Sequence, residues 1–459
     1  MNKNDPGRCL GTPIPNTCPH AVSVSMPEWR DVVGYEENEA RVHNALQNGY
    51  PRFFLHRFVA ELRQRYQPLA KPGETVWIFP SLEAAEGCIA FTKAGRTEST
   101  KDGVALAFLP AEKECEAKTF WQHSGLIISS RQARNILDGK PPMPPTAYQP
   151  LKQLVAKYHN LNAEDVYLFP SGMGAIFTAY KALTQDCKKT IQLGFPYLDI
   201  LKIQQKFGDG IYLCYDTPDD LKTLEAELKK GKCAAIFCEI PGNPLLRTID
   251  LKRLQALLQP LNIPLVIDDT VGTAIDIDIK PYADVIVTSL TKFFCGKGNV
   301  VGGSVTLNPS SPHYTTLKKK FSQTEELLYS DDAHQLLESG QGFATRMKTI
   351  SANAEKLAAF LAAHPAVGEV YYPKGDPCYE TIRKPQGGYG GLLSFVMKNK
   401  EAACGVYDRL QTDKGPSLGT EFTLVCPYTL LAHYNELNWA EENGIPRHLL
   451  RVSVGIENS

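Results

Sequence analysis

Residues 264–305, PLVIDDTVGTAIDIDIKPYADVIVTSLTKFFCGKGNVVGGSV, limit the possible folds of this chain more than any other stretch. An acidic residue, Asp268, closes one β-branched run, and a lysine flanked by hydroxyls, Ser289-Leu290-Thr291-Lys292, follows the next. Val266-Ile267 and 284–287 read as short buried strands bounded by Pro, Asp and Gly. If these strands run parallel, Asp268 and Lys292 emerge at one carboxyl edge of a sheet, where open α/β folds bind ligands.

The surrounding pattern supports that geometry. Strands are expected at 167–169, 190–193, 211–215 and 234–239, alternating with helices from Gly174, at 198–207, 221–230 and 251–258, which is the signature of a doubly wound α/β core. Residues 1–150 lack this alternation, and Lys140-Pro141-Pro142-Met143-Pro144-Pro145 is a stiff, helix-breaking linker. A boundary is therefore expected there, with a large α/β domain at 151–307. Residues 308–459 read as an α+β domain, with helices at 325–328, 332–338 and 350–362 and strands at 367–372, 392–397 and 450–454.

With 459 residues and 43% hydrophobic content, the chain can bury a large core. A net charge of −1 gives no electrostatic footprint for nucleic acid or an anionic membrane. No apolar run is long enough to span a bilayer, and MNKNDPGRCLGTPIPN shows neither an apolar signal core nor an arginine-rich amphipathic pattern, so a cytoplasmic location is expected. The 12 cysteines are scattered without any Cys-x-x-Cys, as expected of reduced thiols. Cys18-Pro19-His20, with Cys9 nearby, lacks a second ligand pair, and no metal site is expected.

A lysine, a strand-end carboxylate and clustered hydroxyls are what a pyridoxal cofactor requires. The lysine amine bonds the cofactor, the carboxylate keeps the pyridine nitrogen protonated, and donors surround the phosphate. Separately, each piece has a simpler reading: a helix cap for Asp268, a solvated surface cation for Lys292. Ser289-x-x-Lys292 also fits the nucleophile motif of penicillin-binding enzymes. That motif needs a serine opening a helix, together with Ser-Asp-Asn and Lys-Thr-Gly; here the serine ends a strand and neither tripeptide occurs.

Further motifs follow in order: Tyr50-Pro51-Arg52, Ser171-Gly172-Met173, Gly194-Phe195-Pro196-Tyr197, Glu239-Ile240-Pro241-Gly242-Asn243-Pro244, Asp268-Asp269-Thr270, Ser417-Leu418-Gly419 and Arg451-Val452-Ser453-Val454-Gly455-Ile456-Glu457. Together with Lys292 they resemble the cystathionine γ-synthase branch of the Cys/Met-metabolism pyridoxal phosphate enzymes, over roughly residues 167–456. Residues 12–59 resemble its fungal-type members in particular. The resemblance implies a fold type I transferase, with a mainly parallel seven-stranded sheet and a smaller α+β carboxyl-terminal domain.

It also implies roles. Pyridoxal 5′-phosphate would be held by the Ser171, Gly172, Met173 phosphate turn, by Ser289, Thr291 and Thr270, and by the covalent link to Lys292. Tyr197 would stack on the ring, Asn243 would meet its phenolic oxygen and Asp268 its nitrogen. Tyr50 and Arg52 would cross a dimer interface to the neighbouring subunit's phosphate, in a dimer or a tetramer of two such dimers. Arg451 would bind the substrate α-carboxylate beside Ser417 and Leu418. Lys292 would be the proton shuttle, assisted by Tyr50 or Tyr197. The reaction implied is γ-replacement on an O-activated L-homoserine by L-cysteine, giving L-cystathionine for methionine biosynthesis. A γ-lyase, a sulfhydrylase, an enzyme using a carbon nucleophile and a catalytically silent binding protein are the alternatives.

Three departures from the family pattern stand out. Asp269 replaces an asparagine, Pro416 replaces a common glutamate before Ser417, and much of residues 62–150 reads as an insertion of unknown role. The sequence also ends soon after the Arg451 strand, where relatives continue into a helix, so a less covered edge is expected there.

Overall fold

The computed structural model describes residues 9–324 and 326–457. Near the amino terminus, β1 (Pro13–Ile14) and β2 (Ser23–Val24) form a small antiparallel pair. This strap is fastened to the carboxyl-terminal region: Met26 N–H donates to the Lys414 carbonyl (3.0 Å) and the Tyr407 hydroxyl donates to the Met26 carbonyl (2.7 Å).

The presumed insertion is a folded unit. β3 (Glu74–Phe79), β4 (Arg96–Ser99) and β5 (Ala105–Pro110) make an antiparallel sheet in the order β3-β5-β4. One face packs on the helix Arg57–Tyr66 through Phe58, Leu62, Leu106 and Phe108. The other face, through Trp77, Phe79 and the helix residues Phe120 and Trp121, joins the core built around Ile176 and Phe177. The alternating burial that a two-sided sheet requires is carried by apolar residues on both faces. Residues 1–150 thus contain a strap and a separate sheet subdomain, rather than one irregular segment.

The central sheet has seven strands: β6 (Val166–Phe169), β7 (Lys189–Leu193), β8 (Asp209–Leu213), β9 (Ala235–Glu239), β10 (Leu265–Asp268), β11 (Val285–Thr288) and β12 (Gly303–Leu307). Their order is β6-β12-β11-β10-β9-β7-β8, and β12 alone runs antiparallel to its neighbours. β10 pairs in parallel with β9 and β11, with Asp268 opposite Glu239 and Val287. The chemistry-bearing ends therefore share one edge, as the sequence pattern demanded.

The helix Gly172–Leu183, GMGAIFTAYKAL, is apolar nearly all round and buried accordingly. Its start presses on the neighbouring loop: a Cβ on Gly172 would lie 2.7 Å from Ser289 Cβ, so only glycine permits this approach.

The carboxyl-terminal sheet comprises β13 (Val367–Tyr371), β14 (Leu392–Met397), β15 (Asp413–Lys414), β16 (Leu424–Pro427) and β17 (Leu450–Ser453), in the order β13-β14-β17-β16-β15. β15, two residues long, and β16 were not anticipated from the sequence pattern. No helix forms over 326–328, and Glu325 lies outside the described residues. Among the described residues, no helix is long and apolar enough to cross a membrane, and no His/Cys/Asp/Glu group could hold a metal.

The long helix Phe343–Ala363 clamps the turn after Lys292. Buried Arg346 donates to the carbonyls of Phe293 (3.1 Å) and Phe294 (2.6 Å), two acceptors with no other use in the fold's ladders. Replacing Arg346→Met should lower unfolding free energy by about 2–3 kcal/mol, because charge-assisted bonds are lost and buried carbonyls left bare. Denaturant unfolding checks this; a wild-type midpoint would refute the clamp.

Candidate active site

A cavity of about 530 Å³ opens at the carboxyl edge of the central sheet, walled by the strap, the sheet subdomain, the core and the carboxyl-terminal domain. Lys292, Tyr50, Arg52, Gly172, Met173, Tyr197, Asn243, Asp268, Thr270, Ser289, Leu418 and Arg451 all line it. Twelve of the predicted site residues thus converge from positions up to four hundred residues apart, which chance placement of caps and surface charges would not produce.

At the floor, Asp268 accepts from Thr270 N–H (2.9 Å), and Thr270 Oγ1 accepts from Ser289 N–H (2.8 Å). Burial pushes the Asp268 carboxyl up, and nearby Asp269 adds to this. Burial, then the charge of Asp268, pushes Glu239 up as well. Among the described residues no cation neutralises Asp268, so a protonated ring nitrogen would supply the missing charge. Glu239 is otherwise occupied, accepting from the backbone N–H of Tyr197 (2.9 Å) and Asn243 (3.2 Å).

Lys292 Nζ donates to Ser417 Oγ (3.1 Å) and lies 4.2 Å from the centre of the Tyr50 ring. Burial, followed by the charges of Arg451 and Arg52, lowers its pKa to about 7. Such an amine is substantially neutral near neutral pH and can act as nucleophile or base. Arg451 Nη2 donates to the carbonyls of Pro416 (3.0 Å) and Ser417 (3.1 Å), and Nη1 reaches Asn243 Oδ1 (3.4 Å). Its guanidinium sits over the Tyr428 ring at 4.9 Å.

The opposite end suits a phosphate. The first-turn N–H groups of the helix at Gly172 and Met173 have no intrahelical acceptors. Arg52 donates to the Tyr197 hydroxyl (2.6 Å), Asp199 Oδ2 (3.0 Å) and the Gln122 carbonyl (2.7 Å), while its buried Nε finds no acceptor among the described residues. The residues present therefore fit pyridoxal phosphate: a lysine, an uncompensated carboxylate and spare donors in one cavity.

Several expectations need correction. Ser171 does not line the cavity: its hydroxyl caps the helix, accepting from Gly174 N–H (2.9 Å) and donating to the Gly125 carbonyl (2.8 Å). Thr291 is buried behind the wall, exchanging bonds with the Gly302 backbone and reaching the Tyr50 hydroxyl. Ser417 touches Lys292 from outside the lining. Tyr50 and Arg52, expected to reach a neighbouring subunit, line the cavity of their own chain, because Gln122 and Asp199 of the same chain hold the guanidinium. A site shared between subunits does not follow from these two residues.

Sequence reasoning missed Asp199 and His123. Asp199 carries the buried ion pair with Arg52, and His123 Nδ1 lies 3.0 Å from its other oxygen. Asp199 follows Tyr197 by two residues and was legible as an acid opening a helix; His123 lies in the supposed insertion, where nothing marked it.

Fold and site together define a pyridoxal phosphate-dependent enzyme of fold type I. The family model described as Cys/Met metabolism PLP-dependent enzyme matches residues 143–459, and the model described as fungal trans-sulfuration enzyme, N-terminal domain, matches residues 55–129. The chain belongs to the Cys/Met metabolism PLP-dependent enzyme family, of the cystathionine γ-synthase/lyase type. It is 33% identical to a cystathionine gamma-synthase of Neurospora crassa, over 98% of this chain and 96% of that one. It is 29% identical to an L-2-amino-4-chloropent-4-enoate dechlorinase/desaturase of Streptantibioticus cattleyicolor, over 97% and 95%. A crystal structure of cystathionine gamma synthase from Xanthomonas oryzae pv. oryzae superposes with a TM-score of 0.61 at 24% identity, covering 68% of this chain and 82% of that one.

The lowered pKa of Lys292 has a measurable consequence. Its amine is protonated below about 7 and neutral above, against an ordinary value of 10.5. Incorporation of pyridoxal phosphate into cofactor-free protein, followed by visible absorbance, should therefore accelerate as pH rises through about 7 and then level off. A rise continuing towards pH 10 would refute the buried-amine geometry. Lys292→Ala should abolish turnover and leave any cofactor noncovalent.

Proposed function

We propose that this enzyme catalyses γ-replacement: an O-activated L-homoserine and L-cysteine give L-cystathionine and the released acid, a step of transsulfuration towards methionine. The observation carrying this reading is a buried, readily neutralised Lys292 placed between a carboxylate-binding arginine, Arg451, and an uncompensated carboxylate, Asp268. Similarity to a cystathionine gamma-synthase across nearly the whole chain supports it. The dechlorinase/desaturase relative is a reminder that one scaffold hosts several reactions.

When bound, the cofactor supplies an electron sink next to the substrate's Cα. Asp268 would hold the ring nitrogen protonated, Asn243 would donate to the phenolic oxygen, and the Tyr197 ring would stack on the cofactor. Gly172, Met173, Ser289, Arg52 and the Tyr50 hydroxyl would hold the phosphate, while Thr270 braces Asp268. Arg451, fixed by two carbonyls, orients the α-carboxylate. Lys292, whose Nζ donates to the Ser417 hydroxyl at 3.1 Å, would move protons at the substrate's Cα and Cβ. Net, the Cγ–O bond of the ester breaks, a Cγ–S bond forms, and the thiol proton leaves with the acid. A homo-oligomer, dimer or pair of dimers, belongs to this reading on the resemblance alone.

The test is a product assay with O-acetyl-, O-succinyl- and O-phospho-L-homoserine, each with and without L-cysteine, read by mass spectrometry. Cystathionine formed only with cysteine is the expected result and identifies the ester. Dominant 2-oxobutyrate would replace this reading with elimination, the lyase alternative.

A further inference from the structure

The cavity extends well past the residues that face the cofactor. Its outer part is walled by the end of the helix Trp29–Glu36, by Leu46, Phe53 and Phe54 of the strap, and by the helix Leu198–Phe207. These walls are mostly apolar, which makes the charged groups among them informative. Glu36 lines the cavity and makes no hydrogen bond or ion pair among the described residues. Burial pushes its carboxyl up to about 7, and no neighbouring cation opposes this. Every other acid lining the cavity has a partner: Asp199 has Arg52 and His123, Glu239 has two backbone N–H groups, and Asp268 has Thr270.

Opposite charge enters from the other helix. Asp199, Lys202 and Lys206 line the cavity at spacings of three and four residues, hence on one helix face. Asp199 points the inner end of that face at Arg52, while Lys202 lies 3.3 Å from Glu436 and Lys206 is exposed at the outer end. Pro416 and Leu418 contribute no charge to the intervening wall. The outer cavity thus offers one unpaired carboxyl, the exposed ammonium of Lys206 and that of Lys202, which Glu436 holds at 3.3 Å, none of them engaged by the cofactor residues or Arg451. That set complements a zwitterion rather than an ester leaving group, which carries no cation.

We propose that Glu36 is a specificity-determining residue, binding the ammonium of the second amino-acid substrate while Lys202 and Lys206 face its carboxylate. This subsite rests on the γ-replacement reading for the identity of its occupant, L-cysteine. It assigns acceptor recognition to the amino-terminal helix Trp29–Glu36, remote in sequence from Asp268, Lys292 and Arg451.

The test compares L-cysteine with 3-sulfanylpropanoate, the same thiol acid lacking the ammonium. In Glu36→Gln holoenzyme, the ratio of kcat/KM for cysteine to that for 3-sulfanylpropanoate should fall about tenfold, as expected for loss of one charge-assisted contact. Glu37→Gln, its exposed neighbour, should leave the ratio at the wild-type value. An unchanged ratio in Glu36→Gln would overturn the subsite. If wild-type protein makes no cystathionine with any ester, the replacement reading fails on its own, and carbodiimide labelling of Glu36 in cofactor-loaded protein decides the subsite independently. Labelling blocked by L-cysteine and not by 3-sulfanylpropanoate supports it; equal labelling in both overturns it.

Discussion

The ion pair between Arg52 and Asp199 is the contact on which the site depends. Both side chains are almost wholly removed from solvent, and their separation is 3.0 Å. A buried charge pair is tolerated only when its surroundings also satisfy it; here Tyr197 and Gln122 accept from Arg52, and His123 Nδ1 lies 3.0 Å from Asp199 Oδ1. Arg52 belongs to the strap, Gln122 and His123 to the sheet subdomain, and Asp199 to the core. One guanidinium therefore ties three parts of the fold together around a single cavity. Asp199 is in turn held well below the usual carboxylate range by Arg52 and His123 against the opposing effect of burial.

This linkage also explains the electrostatics at Lys292. A lysine amine is made neutral by withdrawing water and by adding nearby positive charge. The strap does both: the Tyr50 ring lies over Nζ, and Arg52 adds its field from the phosphate end, while Arg451 adds another from the carboxylate end. The same two guanidinium groups that are suited to binding anions thus depress the amine between them.

Much of this was legible in the sequence because the central sheet is parallel. Strands buried on both faces read as β-branched runs, and right-handed crossovers then force their carboxyl ends onto one edge. Asp268 and Lys292 were therefore placed together by pattern, while Asn243 and Tyr197 were assigned through the family resemblance. What resisted reading lies in two kinds of contact. Asp199–His123 and the Glu36 wall are made across large sequence separations by side chains whose local patterns are those of ordinary helices. The antiparallel subdomain looked like an insertion because it lengthens the stretch between Tyr50 and Ser171 beyond the family spacing, and one of its strands, Arg96–Ser99, is short, polar and partly open to solvent. Conversely, Ser171 was overread: the serine of a strand-to-helix turn is needed as the cap, accepting from Gly174 N–H, so it shapes the phosphate turn without pointing into the cavity.

Asp269 shows how a departure from a family pattern is absorbed. Successive residues at a strand end point to opposite sides, so Asp268 faces the cofactor cavity while Asp269 faces a small cavity lined by His159, Thr273 and Thr288. There Thr288 Oγ1 donates to Asp269 Oδ1 (2.5 Å), and His159 Nε2 lies 3.7 Å from Oδ2. Burial pushes the Asp269 carboxyl up to about 7, so it is readily protonated, and a protonated carboxyl is a near-isostere of the asparagine found in relatives. Protonation of Asp269 relieves the like charge that helps push the Asp268 carboxyl up. The extra acid is thereby accommodated on the far face of the strand, away from the cavity that Asp268 lines.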